Sequence, residues 1–493
     1  MKKQTLSQQT LSGLQSTKAE LNLPKYNRAQ TDIGIVHIGP GAFFRAHQAW
    51  YTEQALNLRG GDWGICGVAL NSHQVKSQLA PQDGLYSLLA LDKNTEVSVI
   101  GCLKEVLAYQ EDFSQVVARL TAKTTKLVTL TITEKGYCLT NKGHLDLANT
   151  VIKNDLLNPQ HPQSAIGLLV LACQIRQQQG TPALSIISCD NVNDNGHKLK
   201  HALVEYAEQL SADLAQYIQT SVVCPCTMVD SITPATTDEL SEQLAQQFHY
   251  QDNWPIKREA FTQWVIEDIL PDDIPAWREV GVTFTKDVQA YENAKLRVLN
   301  ATHSTMAYLG CLLNIETVYD AIHQAPIKTF IQQMLKDEVQ VSFDIPAGMN
   351  FDEYCQSIIE RYQNPEIKHL LAQIAWDGSQ KLPMRILPII EINLKNNQAI
   401  KKCCLALAAW MRFVIEKCRN NDDLVDPLKT TLSSISDHCN DEPTNDITQF
   451  MSLSMFSSLA QNQQFISQLT QSYQFLTEHN AQELLPLLES MAH

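Results

Sequence analysis

The chain has 493 residues, of which 44% are hydrophobic and 18% charged, and it carries a formal charge of −15. That length exceeds what one hydrophobic core supports, so two domains are expected, and the ordinary apolar fraction excludes long disordered tracts. The acidic balance, without any Lys/Arg block, argues against nucleic acid or an anionic membrane as partner.

Further exclusions follow from local composition. The start, Met1–Gln15, is polar and lacks an apolar leader segment, and no apolar run approaches the roughly 20 residues needed to span a bilayer. Thirteen cysteines are scattered along the chain. The only close pairs, Cys224/Cys226 and Cys403/Cys404, do not match zinc-ligand spacings, so no metal is expected. Reduced thiols in a cytoplasmic protein are the expected state.

In chain order, Ile33–Ile38 (IGIVHI) is short, apolar and β-branched, as a central strand of a parallel sheet requires. Trp63–Leu70, Leu127–Thr133, Leu184–Cys189 and Ser221–Cys226 have the same character and are predicted strands. Tyr86–Leu91 and Val97–Leu103, separated by DKNT, read as an antiparallel hairpin inserted into that sheet. Helices are predicted over 42–56, over 164–179 with Gly180 as its stop, and from Gly196 towards Leu210. Strands alternating with helices define an open α/β sheet. From Val288 onward helical periodicity dominates. The expected division is therefore an α/β domain over 1–285 and a mostly α-helical domain over 286–493.

Three segments carry chemistry. In HIGPGAFFRAHQ, Gly39 and Gly41 follow a strand and precede a helix, where glycine allows a tight turn and lets a pyrophosphate approach backbone N–H groups. Phe44 stands where a third glycine would complete the dinucleotide fingerprint, and no acidic residue closes the strand at 69–72. The choice between NAD and NADP therefore stays open. In AKLRVLNATHS, Lys295, Asn300 and His303 fall within roughly 140° of a helical wheel and share one face. A lysine acting there as base must drop from about 10.4 to about 7–8, a change of about 4 kcal/mol, and Lys381 in DGSQKLPMR is a candidate positive neighbour. Asn300 and His303 would then donate hydrogen bonds to a developing oxyanion. Third, Thr133–Tyr137 (TEKGY) and Ser188–Asn191 (SCDN) lie at predicted strand ends, where open sheets bind ligands. Each segment also has a bland reading, as the wet side of an amphipathic helix or as ordinary turn residues.

Taken in order, IVHIGPGAFFRAHQAWYT, TLTITEKGYC, SCDNVNDNGH, CTMVDSITPAT, FTQWVIEDIL, KLRVLNATHS and DGSQKLPMR resemble the polyol-specific long-chain dehydrogenase/reductase family, to which the mannitol dehydrogenases belong. The resemblance covers nearly the whole chain. It implies a Rossmann-type N-terminal domain, a helical C-terminal domain, no metal, a nicotinamide cofactor and a lysine acid/base in a site between the domains. Lys295 matches that lysine, and Asn300 and His303 match the carbonyl-polarising pair. Asn191 and Lys381 match substrate-contacting positions, with Arg385 a further substrate-binding candidate. The expected cofactor-binding set is Gly39, Gly41, Ala42, Phe43, Arg45, Glu134 and Asp230.

The substrate so implied is a small sugar acid or polyol, on a monomer or weak homo-oligomer. Gln373 and Lys135 look more like the fructuronate-reducing branch than the mannitol-oxidising one, which tends to carry arginine and glycine there. A uronate adds a carboxylate, for which Arg385, Lys135 and Arg45 are the candidate partners. A mannitol or arabinitol 2-dehydrogenase is the alternative within the family, and a silent dinucleotide-binding protein is the alternative outside enzymes.

Overall fold

The computed structural model describes residues 4–14, 21–92 and 94–492. Part of the polar start Met1–Gln15, and Lys93 within the hairpin loop, lie outside the described residues. The chain divides into two compact units, Met1–Val288 and Gln289–His493. All thirteen cysteines are free thiols. Among the described residues no helix is long and apolar enough to cross a membrane.

Unit 1 is built on strands β1 (Ile33–Ile38), β2 (Gly64–Ala69), β3 (Leu103–Ala108), β4 (Leu127–Leu130) and β5 (Ser185–Ser188). They form one sheet in the order β3-β2-β1-β4-β5, and every pairing in it is parallel. This is the doubly wound arrangement, with its reversal of strand order beside β1. Alternate side chains explain why these strands are apolar throughout. Val36, Ile38, Val68, Val128 and Ile186 belong to one core, whereas Ile35, Ile65, Leu127 and Ile187 belong to another. A parallel sheet covered on both faces has no wet side to encode.

The glycine turn after β1 leads into helices α1 (Ala42–Ala46) and α2 (Gln48–Arg59), so the single predicted helix is broken at His47. Helix α3 (Ala165–Gln179) starts at Ser164, whose hydroxyl accepts from the Gly167 N–H at 2.9 Å, and stops at Gly180 in the left-handed conformation (φ +65°). Helix α4 (Asn195–Glu208) follows β5.

Two expectations are corrected here. Ser221–Cys226 is not a strand: the preceding helix runs through Ser221, and only an isolated bridge joins Val223 to Ser185. The strand is Thr227–Asp230 (β6), paired antiparallel with Gln263–Glu267. The apolar VVC run lies beside β5, where Val223 exchanges backbone hydrogen bonds with Leu184 and Ile186 at the sheet edge, and a periodicity argument reads it as a strand. The hairpin does form, from Tyr86–Leu91 and Glu96–Ile100, but it belongs to a separate four-stranded sheet with Leu21–Asn22 and Ile256–Glu259, and Leu103 opens β3 instead.

Unit 2 is helical. Val288–Ala294 runs into a π-helical turn, Lys295–Asn300, and then into α5 (Ala301–Leu312). Helices α6 (Phe351–Tyr362), α7 (Gly378–Arg385), α8 (Lys401–Arg419) and α9 (Gln463–Glu478) complete the parts that matter here. Helix α8 is the hub: Cys403 to Met411 are buried on all sides, and it packs on α5 and α9. A helix apolar all round belongs at the centre of a bundle. Gly378 lets α7 seat closely, since a Cβ there would lie 2.4 Å from Trp410 Nε1 and 2.6 Å from the Tyr308 hydroxyl.

Candidate functional site

Unit 1 concentrates its polar strand ends where β1, β4 and β5 finish side by side. Gly39 adopts φ +92°, and a Cβ there would meet the Thr131 carbonyl oxygen at 2.1 Å, so the turn after β1 accepts only glycine. The Thr131 hydroxyl donates to the Gly39 carbonyl at 2.7 Å, tying the ends of β1 and β4 together. Gly41 has open space around its Cβ position, Ala42 is exposed, and no side chain caps the start of α1. Within the turn the Gly39 and Gly41 N–H groups are taken by the Val68 and Gly39 carbonyls at 2.9 and 2.6 Å, so the N–H groups left for a pyrophosphate at this topological switch point are those that open α1. Phe44, in the place of the missing third glycine, is fully buried and stacks on His37 at 3.5 Å between ring centroids.

After β4 the backbone is strained. Thr133 has φ +64°, unusual for a β-branched residue. The Asp190 carboxylate holds it there, accepting from the N–H groups of Ile132 and Thr133, each at 2.9 Å, and from the Tyr137 hydroxyl at 2.7 Å. Burial pushes Asp190 above the usual carboxylate range, and those three donors pull against that. Glu134 and Lys135 follow, exposed. Asn191, next to Asp190 and exposed, leads into α4. There Asn195 joins three elements: its side-chain amide donates to the carbonyls of Asp190 at 3.1 Å and Thr227 at 3.0 Å, while its oxygen accepts from the Thr227 N–H. Asp230 ends β6 and is buried.

Arg45 departs from the expected set. Its guanidinium is 1% exposed, donates to the Trp254 carbonyl and lies 3.9 Å from the centroid of the Trp254 ring. It is a buried residue of unit 1 packed on Trp254. One turn of amphipathic pattern does not distinguish an arginine facing inward from one facing out.

Unit 2 gathers the other candidates. Lys295 and Asn300 bound the π-helical turn, both half-buried, and His303 follows in α5 at 8% exposure. A π turn widens the helix, so the even wheel assumed from sequence does not apply across 295–300, and such turns are frequent at functional sites. Helix α7, carrying Lys381 and Arg385, packs against both this turn and α5.

His303 is the centre of a positive cluster. Its ring lies 4.8 Å from that of Tyr362 and 5.7 Å, edge-on, from that of His369. Burial holds its pKa well below the usual imidazole range, with His369, Arg385, Arg361 and Lys381 acting in the same direction, so it is neutral. Lys381 and Arg385 are themselves lowered by burial, and Arg385 lowers Lys381 further. Arg385 donates to the Ser304 hydroxyl at 3.0 Å. Three buried polar atoms, His303 Nε2, His369 Nδ1 and Arg385 Nε, have no partner among the described residues. These three atoms are available to a polar ligand.

His369, Arg361 and Asn195 were not anticipated from sequence, whereas Thr133 and Asp190 stand in the two strand-end segments singled out there. Asn195 stands inside the quoted SCDNVNDNGH block, which is the signal that could have found it.

Together, a glycine turn at the switch point of a doubly wound sheet and a helical unit bearing a lysine, an amide and a neutral imidazole on one stretch define a dehydrogenase of the two-unit type. Comparison with known proteins agrees. The family model for the mannitol dehydrogenase Rossmann domain matches residues 33–279, and that for the mannitol dehydrogenase C-terminal domain matches residues 287–477. The D-mannonate oxidoreductase of Escherichia coli (strain K12) is 38% identical, over 94% of this chain and 97% of its own. A mannitol 2-dehydrogenase of Aspergillus fumigatus is 33% identical, over 95% of each chain. Among solved structures, the Pseudomonas fluorescens mannitol 2-dehydrogenase, a ternary complex with NAD and D-mannitol, aligns with a TM-score of 0.82 at 30% identity, covering 99% of both chains. The chain therefore belongs to the mannitol dehydrogenase family, and it is an oxidoreductase acting on a CH–OH group.

Proposed function

We propose that the protein is an NAD-dependent D-mannonate oxidoreductase (fructuronate reductase), interconverting D-mannonate and D-fructuronate. In this reading unit 1 holds the cofactor, with the glycines Gly39 and Gly41 letting the pyrophosphate approach the start of α1 at Ala42, and unit 2 carries the proton chemistry. A bound nicotinamide would supply the hydride acceptor and donor. All other requirements fall on the chain.

Lys295 takes the proton of the substrate hydroxyl as its carbon is oxidised, and returns it when the ketone is reduced. Asn300 donates to the same oxygen. His303, held neutral by its surroundings, donates through its ring N–H without adding a charge that would compete with Lys295. Asn191 and Lys381 orient the remaining hydroxyls.

The observation that carries the choice of a sugar acid is the charge balance of the cluster in unit 2. Arg385 is half-buried beside Lys381 and His303, and no carboxylate pairs with it among the described residues. A neutral hexitol leaves that desolvated cation uncompensated, whereas a carboxylate pairs with it through charge-assisted hydrogen bonds. The resemblance to the Escherichia coli D-mannonate oxidoreductase supports the same choice.

A mannitol 2-dehydrogenase is the second reading, supported by the fungal relatives and by the NAD and D-mannitol complex of the structural neighbour. The test is the initial rate of NADH formation with D-mannonate and D-mannitol at equal concentration. A kcat/KM for D-mannonate at least tenfold above that for D-mannitol is expected, the reward of about 1.4 kcal/mol for one charged contact. A preference for D-mannitol would sink the proposal.

A further inference from the structure

A second constellation lies in unit 1, apart from all the residues given catalytic, substrate or cofactor roles above. Asp194, His197 and Cys226 bring one carboxylate, one imidazole and one thiol together, with their donor atoms all within 4.8 Å of one another. Asp194 Oδ1 lies 2.6 Å from His197 Nδ1, and the Cys226 sulfur lies 3.5 Å from the same carboxylate oxygen and 3.6 Å from the same ring nitrogen.

Those separations can be compared with what a tetrahedral ion demands. Bonds of about 2.0–2.1 Å to nitrogen and oxygen and about 2.3 Å to sulfur place sulfur roughly 3.5 Å from each of the other donors. Both sulfur distances already meet that requirement. Nitrogen and oxygen would stand roughly 3.3 Å apart, so the present hydrogen bond must open by about 0.7 Å. His197 is exposed, and its ring has the freedom to make that adjustment.

The backbone beneath the three side chains is fixed independently of any ion. Asp194 sits in the left-handed region (φ +56°) immediately before α4. Asn195 is pinned to Asp190 and Thr227 by its amide. Gly196 approaches so closely that a Cβ would lie 2.3 Å from the Pro225 carbonyl carbon, which draws the start of α4 onto the residue preceding Cys226. The Cys226 N–H donates to Glu267 at 2.9 Å; burial pushes the Cys226 thiol up to about 12, and the N–H groups of His197 and Gly196 pull the other way. A supported donor set of this kind is what distinguishes a binding site from a chance cluster.

We propose that Asp194, His197 and Cys226 form a binding site for one thiophilic divalent cation of the Zn2+ type, with the solvent-facing fourth position taken by water. A thiolate and an imidazole select such ions over Mg2+ or Ca2+. On binding, the sulfur–hydrogen bond gives way to a sulfur–metal bond and the proton passes to solvent, with no change in oxidation state. The bound ion joins the start of α4 to the residue before β6 and so stiffens the segment that carries Asn191. Cysteine spacing along the chain could not reveal this site, because Cys226 stands 29 residues from His197.

The experiment is titration of the metal-free full-length protein with Co2+, read as the thiolate-to-cobalt charge-transfer band and the intensity of the tetrahedral d–d bands, followed by displacement with Zn2+. One saturable equivalent is expected, together with a rise in Tm on adding Zn2+. Cys226→Ser should abolish the charge-transfer band, and His197→Ala, a surface change that leaves the fold intact, should weaken binding at least about tenfold. Cys418→Ser should change nothing. Absence of a saturable charge-transfer band, or a band unaltered by His197→Ala, would overturn the assignment whatever the substrate of the enzyme proves to be.

Discussion

Arg176 of unit 1 and Arg385 of unit 2 are both desolvated arginines, and the two are treated differently. Arg176 in unit 1 is 1% exposed and makes five hydrogen bonds, to the carbonyls of Pro182, Leu120, Ala122 and Thr125. Arg385 in unit 2 is also buried enough for its pKa to be lowered, yet it makes one, to Ser304. The desolvation cost is similar in kind. In unit 1 the protein offsets it internally, and the residue acts as a clamp between a helix and its flanking loops. In unit 2 the offset is left for a ligand. A buried charge with its hydrogen bonds filled by backbone is architecture, whereas one with donors to spare, among other cations, belongs to a site.

The contrast can be tested from its strongest consequence downward. Lys295→Ala should lower kcat about 10^2–10^4-fold while NAD binding, measured by fluorescence titration, stays near normal. A raised KM with kcat unchanged would move Lys295 to a positioning role. Arg385→Gln should lower kcat/KM for D-mannonate roughly 10–100-fold and that for D-mannitol far less, with partial recovery in Arg385→Lys. Arg176→Gln should do the reverse, lowering Tm and leaving kcat/KM per folded molecule intact for both substrates. Equal losses on both substrates for Arg385→Gln would erase the distinction.

Smaller effects separate the units further. Gly39→Ala must place a Cβ against the Thr131 carbonyl at φ +92°, costing about 1–3 kcal/mol of unit 1 stability in denaturant melts and weakening NAD binding. The pH dependence of stability is the mildest readout. His37 in unit 1 is fully buried, and burial lowers it from 6.5 to about 3. Since the unfolded chain takes up this proton first as pH falls, the contribution of neutral His37 is complete above about 6.5 and is lost progressively down to about 3. His37→Asn should therefore flatten the decline of Tm between pH 6.5 and 5, and an unchanged slope would count against a neutral buried His37.

Much of unit 1 was legible because its signals are local. A strand covered on both faces must be apolar throughout, and Ile33–Ile38, Trp63–Leu70 and Leu184–Cys189 each contain one. The stop at Gly180 and the Ser164 cap could be read one residue at a time. The Ser221–Cys226 run misled because burial beside a sheet edge and burial within a strand select the same residues. The π turn at 295–300 left no trace, since one extra residue per turn alters geometry without altering composition. The burial of Arg45 was not legible because its neighbours in sequence do not reveal that Trp254 lies across it.

Hydrophobic period, glycine placement and the order of the motif blocks, all properties of residues close in the chain, were sufficient to specify a doubly wound unit followed by a helical one and to single out Lys295, Asn300 and His303. Only tertiary structure decided which charges are satisfied and which are not: that Arg45 faces a tryptophan, that Asp190 strains Thr133, that His369 and Arg385 meet at His303, and that Cys226 meets His197. Electrostatic and hydrogen-bond partnerships depend on distances of a few ångströms between residues tens of positions apart, and no periodicity along the chain encodes those distances.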